Sequence, residues 1–313
     1  MISTVTLKHP EDIAEFLAAQ AGTLTEYRQF SRGPADLQYM CTDLGDVVLL
    51  WAKGNAHCLW RDHVRDDDQV RFGFVIRAED EVLVQGRDVN KSGAVVWIDG
   101  AETEYLFKGA VETLEIIVSP QIAENLGWRV AGPVFQSSSL QALTHLANIG
   151  QAVTKAVKLH PDMPRRLIER LRASVLEAME PAIMPWLDLG SDENQLASSS
   201  VRNYLRFRSA EDAFCHLLAP DVAMDDLSKH VGVSRRSLEL AFRNCVGVGP
   251  RRYFEVQRLH ALRAALFSAR SDEHTVTRLA YENGFGDLGR MAKKYQFLFG
   301  EKPSDTLARF AYG

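Results

Sequence analysis

Two stretches near the end of the chain share one plan, and few folds accommodate it. In MDDLSKHVGVSRRSLELAFRNCVG, Leu227 and Val231 lie on one helical face and Gly232 permits a tight turn. Ser234 can then cap a second helix that turns Leu238, Ala241 and Phe242 inward. In VTRLAYENGFGDLGRMAKKYQFLFG, Val276, Leu279 and Ala280 precede Gly284-Phe285, and the helix that follows turns Leu288, Met291 and Tyr295 inward. Ser234 and Asp287, which open the two second helices, stand 53 positions apart. Between the units, Pro250 to Phe267 reads as one helix with proline in its first turn.

A chain of 313 residues is long enough for two domains, each with its own core. Charge divides it in the same way. From Val201 onward there are 18 Lys+Arg against 13 Asp+Glu, a balance of +5, whereas residues 1 to 200 carry 18 against 28, a balance of −10. A basic module that meets a polyanion, joined to an acidic one that does not, accounts for the asymmetry; uneven surface composition is the plainer alternative. The four cysteines, Cys41, Cys58, Cys215 and Cys245, show neither CxxC nor Cys/His zinc spacing, as expected of a reduced intracellular protein. No charged-then-apolar leader opens the chain, and no apolar run reaches the ~20 residues of a spanning helix, so the cytoplasm is the expected location and no membrane partner is expected.

Residues 40 to 118 read as short antiparallel strands, at Val47 to Trp51, Val70 to Ile76, Val82 to Gln85, Ala94 to Ile98 and Leu114 to Val118, forming a small barrel or sandwich. Asp99-Gly100 looks like a turn between two of them. Period 3.6 then takes over in Ser137 to Lys158 and Arg165 to Trp186. Polar and small residues at Leu189 to Ser200 interrupt both patterns. The expected division is therefore a sheet-rich domain over 1–188, a linker over 189–200 and an all-α domain over 201–313, an α+β chain as a whole.

The segment AYENGFGDLGRMAKKYQFLFGEKPSDTLARF resembles the signature of the AraC/XylS family of transcription regulators through Ala280, Gly284, Phe285, Tyr295, Phe299, Gly300 and Pro303. The first unit matches through Leu227, Gly232, Val233, Ser234, Leu238, Phe242, Gly247 and Pro250. The resemblance covers roughly Asp221 to Phe310 and implies two helix-turn-helix units joined by a linker helix, reading adjacent major grooves of double-stranded DNA. A helix of that length spans ~27 Å at ~1.5 Å per residue, against a groove repeat of roughly 34 Å. The outward candidates are Arg235, Arg236, Glu239 and Arg243 on the first recognition helix and Asp287, Arg290, Lys293 and Lys294 on the second. A guanidinium fork matches the O6 and N7 of guanine, which favours Arg236 and Arg290 for base readout; Glu239 can accept from cytosine. Arg235, Arg243, Lys294, Arg251 and Arg252 suit phosphates. A solvated basic face is the competing reading. Where the family has Ser-His this chain has Gly289-Arg290, and glycine there costs ~1 kcal/mol of helix propensity against alanine.

The resemblance also implies a cupin-like N-terminal domain that senses a small-molecule effector and dimerises through its helices, with RNA polymerase as a partner and activation as the outcome. It names no ligand. Among His9, His57, His63, His145 and His160 no pair has His-x-His spacing, so no metal site is expected. Neither a GxSxG nor a P-loop lysine motif is present, so no enzyme and no cofactor are expected. Arg28 and Arg32, with NKSG at Asn90 to Gly93 including Ser92, partly resemble a PilZ-type cyclic-di-GMP motif, although Val95 stands where that motif has glycine. Arg61 and Arg65 form a second R-x-x-x-R pair, which shows how cheaply the pattern arises. The alternative to a regulator is a ligand-binding protein or scaffold whose helical domain does not bind DNA specifically.

Overall fold

Alternation of period two organises the first half of the molecule. The computed structural model describes residues 2–21, 23–64, 70–89, 93–98, 102–128, 134–187, 199–217, 224–269 and 275–309. Seven strands form one antiparallel sheet in the order β1 (Ile2–Leu7), β3 (Leu37–Asp43), β4 (Val47–Gly54), β11 (Val111–Val118), β6 (Val70–Ala78), β9 (Gly93–Ile98) and β12 (Val134–Ser137). Five form the other, in the order β2 (Thr23–Gln29), β5 (Cys58–Val64), β10 (Glu102–Phe107), β7 (Val82–Val84) and β8 (Arg87–Asp88). No ladder among the described residues joins the two sheets. The closed barrel anticipated as one form of this domain is therefore replaced by two open sheets. Their inner faces pack through Tyr27, Trp60, Tyr105 and Phe107 on the smaller sheet and Leu37 and Tyr39 on the larger, which buries apolar surface without a continuous ring of hydrogen bonds. Asp99 and Gly100 lie outside the described residues; the strands on either side, β9 and β10, belong to different sheets and do not form a hairpin.

The outer face of the larger sheet is covered by α3 (Leu140–Leu159) and α4 (Arg165–Leu187). Leu49, Trp51, Phe72, Leu114 and Ile116 meet Leu143, Leu146, Val153, Val175, Met179 and Ile183 there, as the apolar stripes of both helices dictate. A further helix, α1 (Pro10–Ala21), precedes β2, and a short α2 (Pro120–Asn125) follows β11.

The second half is helical: α5 (Ser199–Leu217), α6 (Met224–Val231), α7 (Arg235–Val246), α8 (Pro250–Ser268), α9 (Val276–Glu282), α10 (Leu288–Phe299) and α11 (Pro303–Arg309). Ser199 and Ser200, the end of the expected linker, already lie in α5. The first half buries clusters of its own, but the core of the helical half extends onto it. Phe30, Leu59, Leu83 and Leu106, on the outer side of the smaller sheet, share one hydrophobic cluster with Phe207, Phe242, Tyr253 and Leu259 of the helices. The order of layers is thus α3 and α4, larger sheet, smaller sheet, helical domain. None of the described helices is long and apolar enough to cross a membrane.

Candidate nucleic-acid interface

The two helical units repeat one local chemistry. In the first, Val233 N donates to Ser228 O at 3.0 Å and Gly232 adopts φ 71°. In the second, Phe285 N donates to Ala280 O at 3.0 Å and Gly284 adopts φ 77°. Ser234 Oγ accepts from Ser237 N at 3.1 Å, and Asp287 Oδ1 from Arg290 N at 2.9 Å, so both recognition helices begin with a side-chain cap. Each ends on a left-handed glycine, Gly247 at the end of α7 and Gly300 at the end of α10, and a proline opens the next helix, Pro250 in α8 and Pro303 in α11. Leu238 and Phe242 of α7, and Met291, Tyr295 and Phe299 of α10, are buried in a single core around α8, and Ala241 of α7 is fully buried as well. The strut is one helix of 19 residues, about 28 Å long at ~1.5 Å per residue.

Burial of one face exposes the other. Arg235, Arg236, Arg243, Asp287, Arg290 and Lys293 are exposed, and Glu239 and Lys294 are partly so. Arg236 and Arg290 make no side-chain hydrogen bond or ion pair among the described residues, and are free to meet a partner. Lys293 is likewise without a side-chain partner among the described residues, whereas the rest are more committed. Arg243 Nε donates to Glu239 at 3.0 Å along the same helix, and Arg235 stands 3.7 Å from Asp225 of α6. The Asp287 carboxylate is turned to its own backbone as the cap. Lys294 is drawn to Glu255 of α8, which also takes Arg252 at 3.0 Å. With Gly247 aligned on Gly300, Lys294 falls where Ala241 is fully buried, which explains why its ammonium leans on the strut. The same alignment places Arg236 on Gly289 and Ser237 on Arg290, so the two uncommitted guanidinium groups occupy successive, not equivalent, positions.

Gly289 is exposed, and a Cβ built there would meet only Asp287 Oδ1, at 3.6 Å. Nothing within the fold requires glycine. Gly289→Ala is therefore expected to raise stability by ~1 kcal/mol through helix propensity. A thermal melt without any increase would contradict this.

Residues 227–309 match a family described as a helix-turn-helix domain. The chain is 36% identical over 87 residues to XylDLEGF operon transcriptional activator 2 of Pseudomonas putida, an overlap that is 28% of this chain and 55% of that protein. It is 31% identical to a crystal structure of a probable AraC family transcriptional regulator from Rhodopseudomonas palustris, covering 34% of this chain and 97% of that one with a TM-score of 0.31. The C-terminal domain belongs to the AraC/XylS family. The chain is also 26% identical over 192 residues to the probable thc operon regulatory protein of Rhodococcus erythropolis, which is 60% of this chain and 57% of that protein. It spans little more than half the length of either curated relative.

What the motifs do not reveal is how the AraC/XylS domain is held. Outward residues of the smaller sheet build a buried ionic network against α5 and α8. Glu211 of α5 is its centre: Oε1 accepts from Arg28 at 3.0 Å and from the Tyr253 hydroxyl, and Oε2 accepts from Arg61 and from Arg208 at 3.3 Å. Glu104 on β10 accepts from Arg61 at 2.6 Å and Arg208 at 3.3 Å. Burial alone would raise the Glu211 carboxyl, yet Arg61 and Arg28 hold it down to about 2. On the far side Arg263 of α8 donates to both carboxylate oxygens of Glu11 in α1, at 2.9 and 2.6 Å, and to Glu301 at 2.8 Å.

Loops of the N-terminal half also reach the ends of both recognition helices. The His57 ring nitrogen Nε2 lies 2.9 Å from Val246 O at the end of α7. Gly33 N donates to Phe297 O at 3.1 Å and Gln29 Nε2 to Leu298 O at 2.6 Å at the end of α10. The carbonyls left open at these helix ends are thus met by the other domain. Arg28 and Arg32, spaced as a pair along the chain, have different partners: Arg28 lies in the buried network, while Arg32 stands over the Phe297 ring at 5.5 Å. Asn90 and Ser92 lie outside the described residues. Among the described residues no three His, Cys, Asp or Glu side chains converge as a metal site.

Proposed function

We propose that the chain is a sequence-specific DNA-binding transcription regulator, with α7 and α10 entering adjacent major grooves. The observation that carries this reading is the repeated capped helix, matched to the AraC/XylS family, that leaves one uncommitted arginine exposed on each recognition helix. Arg236→Ala and Arg290→Ala are each expected to cost ~1–3 kcal/mol at the cognate site and to relax preference at one position. Gel shifts with the chain's own upstream DNA and with a scrambled duplex measure this. Equal weakening on both duplexes would reduce the residue to a phosphate neutraliser, and no salt-dependent binding at all would favour the scaffold reading.

The regulator responds, in this proposal, to a small molecule held between the two sheets. A cavity of about 80 Å³ there is walled by Tyr39, Trp60, Tyr105 and Phe107 and receives Asp62 and Glu115. Tyr27, Leu37 and Cys58 also line it, close in sequence to Gln29, Gly33 and His57, which touch the recognition helices. A ligand that alters those loops would change how α7 and α10 are held, by a coupling energy of typically ~1–3 kcal/mol. A cyclic dinucleotide at Arg28 would first have to displace the Glu211 carboxylate, so the cavity is the better seat. Dimerisation through α3 and α4 fits their exposed Leu140, Leu159, Leu167 and Met184. Activation and contact with RNA polymerase complete the proposal.

A further inference from the structure

We infer that the ligand of the cavity between the sheets is a small organic cation, an ammonium group carried on a short apolar chain; the inference rests on the effector reading above. Its walls bring two carboxylates together from opposite sheets, Asp62 of β5 and Glu115 of β11. Glu115 has a charged partner, Arg71 of β6, at 3.2 Å. Asp62 has only neutral ones: the Thr25 hydroxyl and the Trp60 indole N–H both donate to Oδ1, each at 2.6 Å. Its second oxygen, Oδ2, has no hydrogen bond among the described residues.

With Asp62 deprotonated, one guanidinium against two carboxylates leaves a negative balance, which an incoming cation offsets and an anion would worsen. No lysine or arginine lines the described cavity. The remaining walls are aromatic: Tyr105 and Phe107 stack at 5.9 Å, and Trp60 meets Tyr27 edge-on at 5.7 Å and Phe107 at 6.4 Å. The faces of such rings attract ammonium groups by their quadrupoles. Carboxylates at one end and ring faces around the rest are suited to a charged head with an apolar tail, and the volume restricts that tail to a few carbons.

The seat also couples binding to a proton. Burial pushes the Asp62 carboxyl up to about 7; the Thr25 and Trp60 hydrogen bonds and Arg71 oppose this, and Glu115 adds to it. The groups facing it are Glu115, Arg71, Tyr39 of β3, Tyr105 of β10 and Tyr27 of β2, with Asp36 lining the same cavity. Near neutral pH the carboxyl is part-protonated, and an ammonium bound beside it displaces the proton to solvent.

The test is isothermal titration of the full chain with butylamine, butyrate and butanol, three probes of similar length and different charge. Butylamine is expected to bind, releasing a proton and tightening about tenfold between about pH 6 and about pH 8, because deprotonated Asp62 is the binding form. Asp62→Asn keeps the oxygen that Thr25 and Trp60 bind, so its thermal unfolding should remain cooperative. It should also remove both the proton release and the pH dependence and weaken butylamine. Butyrate or butanol binding as tightly as butylamine would overturn the cation while leaving the effector cavity in place. Butylamine binding unchanged in Asp62→Asn would move the ligand elsewhere and overturn the proposal. Heat from none of the three would overturn both readings.

Discussion

Glu211→Ala should destabilise the protein by about 3–5 kcal/mol, because it leaves buried guanidinium groups without their shared carboxylate. Arg28 is 6% exposed at its side chain, Arg61 13% and Glu211 4%, so water cannot replace what is removed. The Tyr253 hydroxyl loses its acceptor as well. The loss should appear as earlier separation of the helical domain from the smaller sheet, since Arg28 and Arg61 belong to β2 and β5 while Glu211 and Tyr253 belong to α5 and α8. Glu26 supplies the control. It contacts the same two arginines but is 49% exposed, and Glu26→Ala should cost no more than ~1 kcal/mol. Urea denaturation of both variants decides it: equal midpoints would mean that the network adds nothing beyond surface charge. Acid should act on the same group. A carboxyl held at about 2 in the folded state, against an ordinary glutamate value of 4.5, contributes fully above the higher figure and loses its contribution as pH falls towards the lower one. The Glu211→Ala difference should therefore shrink in acid.

The network also explains which parts of the fold could be read from the chain and which could not. The helical units were legible because each step has a local cause, from the capping oxygens of Ser234 and Asp287 to the left-handed turns at Gly232 and Gly284. The central strands β4, β6 and β11 were legible because each carries an apolar row against the helices, Leu49 and Trp51, Phe72 and Phe74, Leu114 and Ile116. Strands β5 and β10 were not. CLWRDHV and ETEYLF alternate correctly, but their outward residues include Arg61 and Glu104, which on an isolated sheet would face water. Here they face the second domain, and a charge that is buried by a partner far along the chain looks the same in sequence as one that is solvated. The partner of Arg28 was hidden for the same reason. Spacing suggested an arginine pair for a phosphate ligand, whereas Arg28 meets a carboxylate 183 positions away. Asp62 passed unnoticed because only the packing of two sheets turns an ordinary strand aspartate into a group enclosed with Glu115.

Two glycines that look alike in the sequence should behave differently. Gly232 and Gly300 adopt φ 71° and 77°, and alanine at either must take a left-handed conformation at roughly 1–2 kcal/mol. At Gly232 a Cβ would meet nothing within 4 Å, so Gly232→Ala should cost that amount and no more. At Gly300 it would lie 2.9 Å from Pro34 Cδ and 3.4 Å from Pro34 N. Proline's ring is tied to its backbone and cannot swing aside, so the loop holding Gly33 and Pro34 must retreat from the end of α10. That retreat strains the contacts Gly33 N to Phe297 O and Gln29 Nε2 to Leu298 O. Gly300→Ala should therefore lose more stability than Gly232→Ala, by roughly 1–3 kcal/mol, the usual range for overpacking. It should also increase hydrogen exchange at Gly33 and within Phe297 to Gly300, regions that Gly232→Ala leaves protected. Equal losses in the two variants, with Gly33 still protected in Gly300→Ala, would show that the loop bears no load. If Gly300→Ala also changes DNA affinity at a temperature where it is fully folded, then the contact between the N-terminal half and the second recognition helix is part of how that helix is positioned, because the substitution touches neither the exposed face of α10 nor its cap at Asp287.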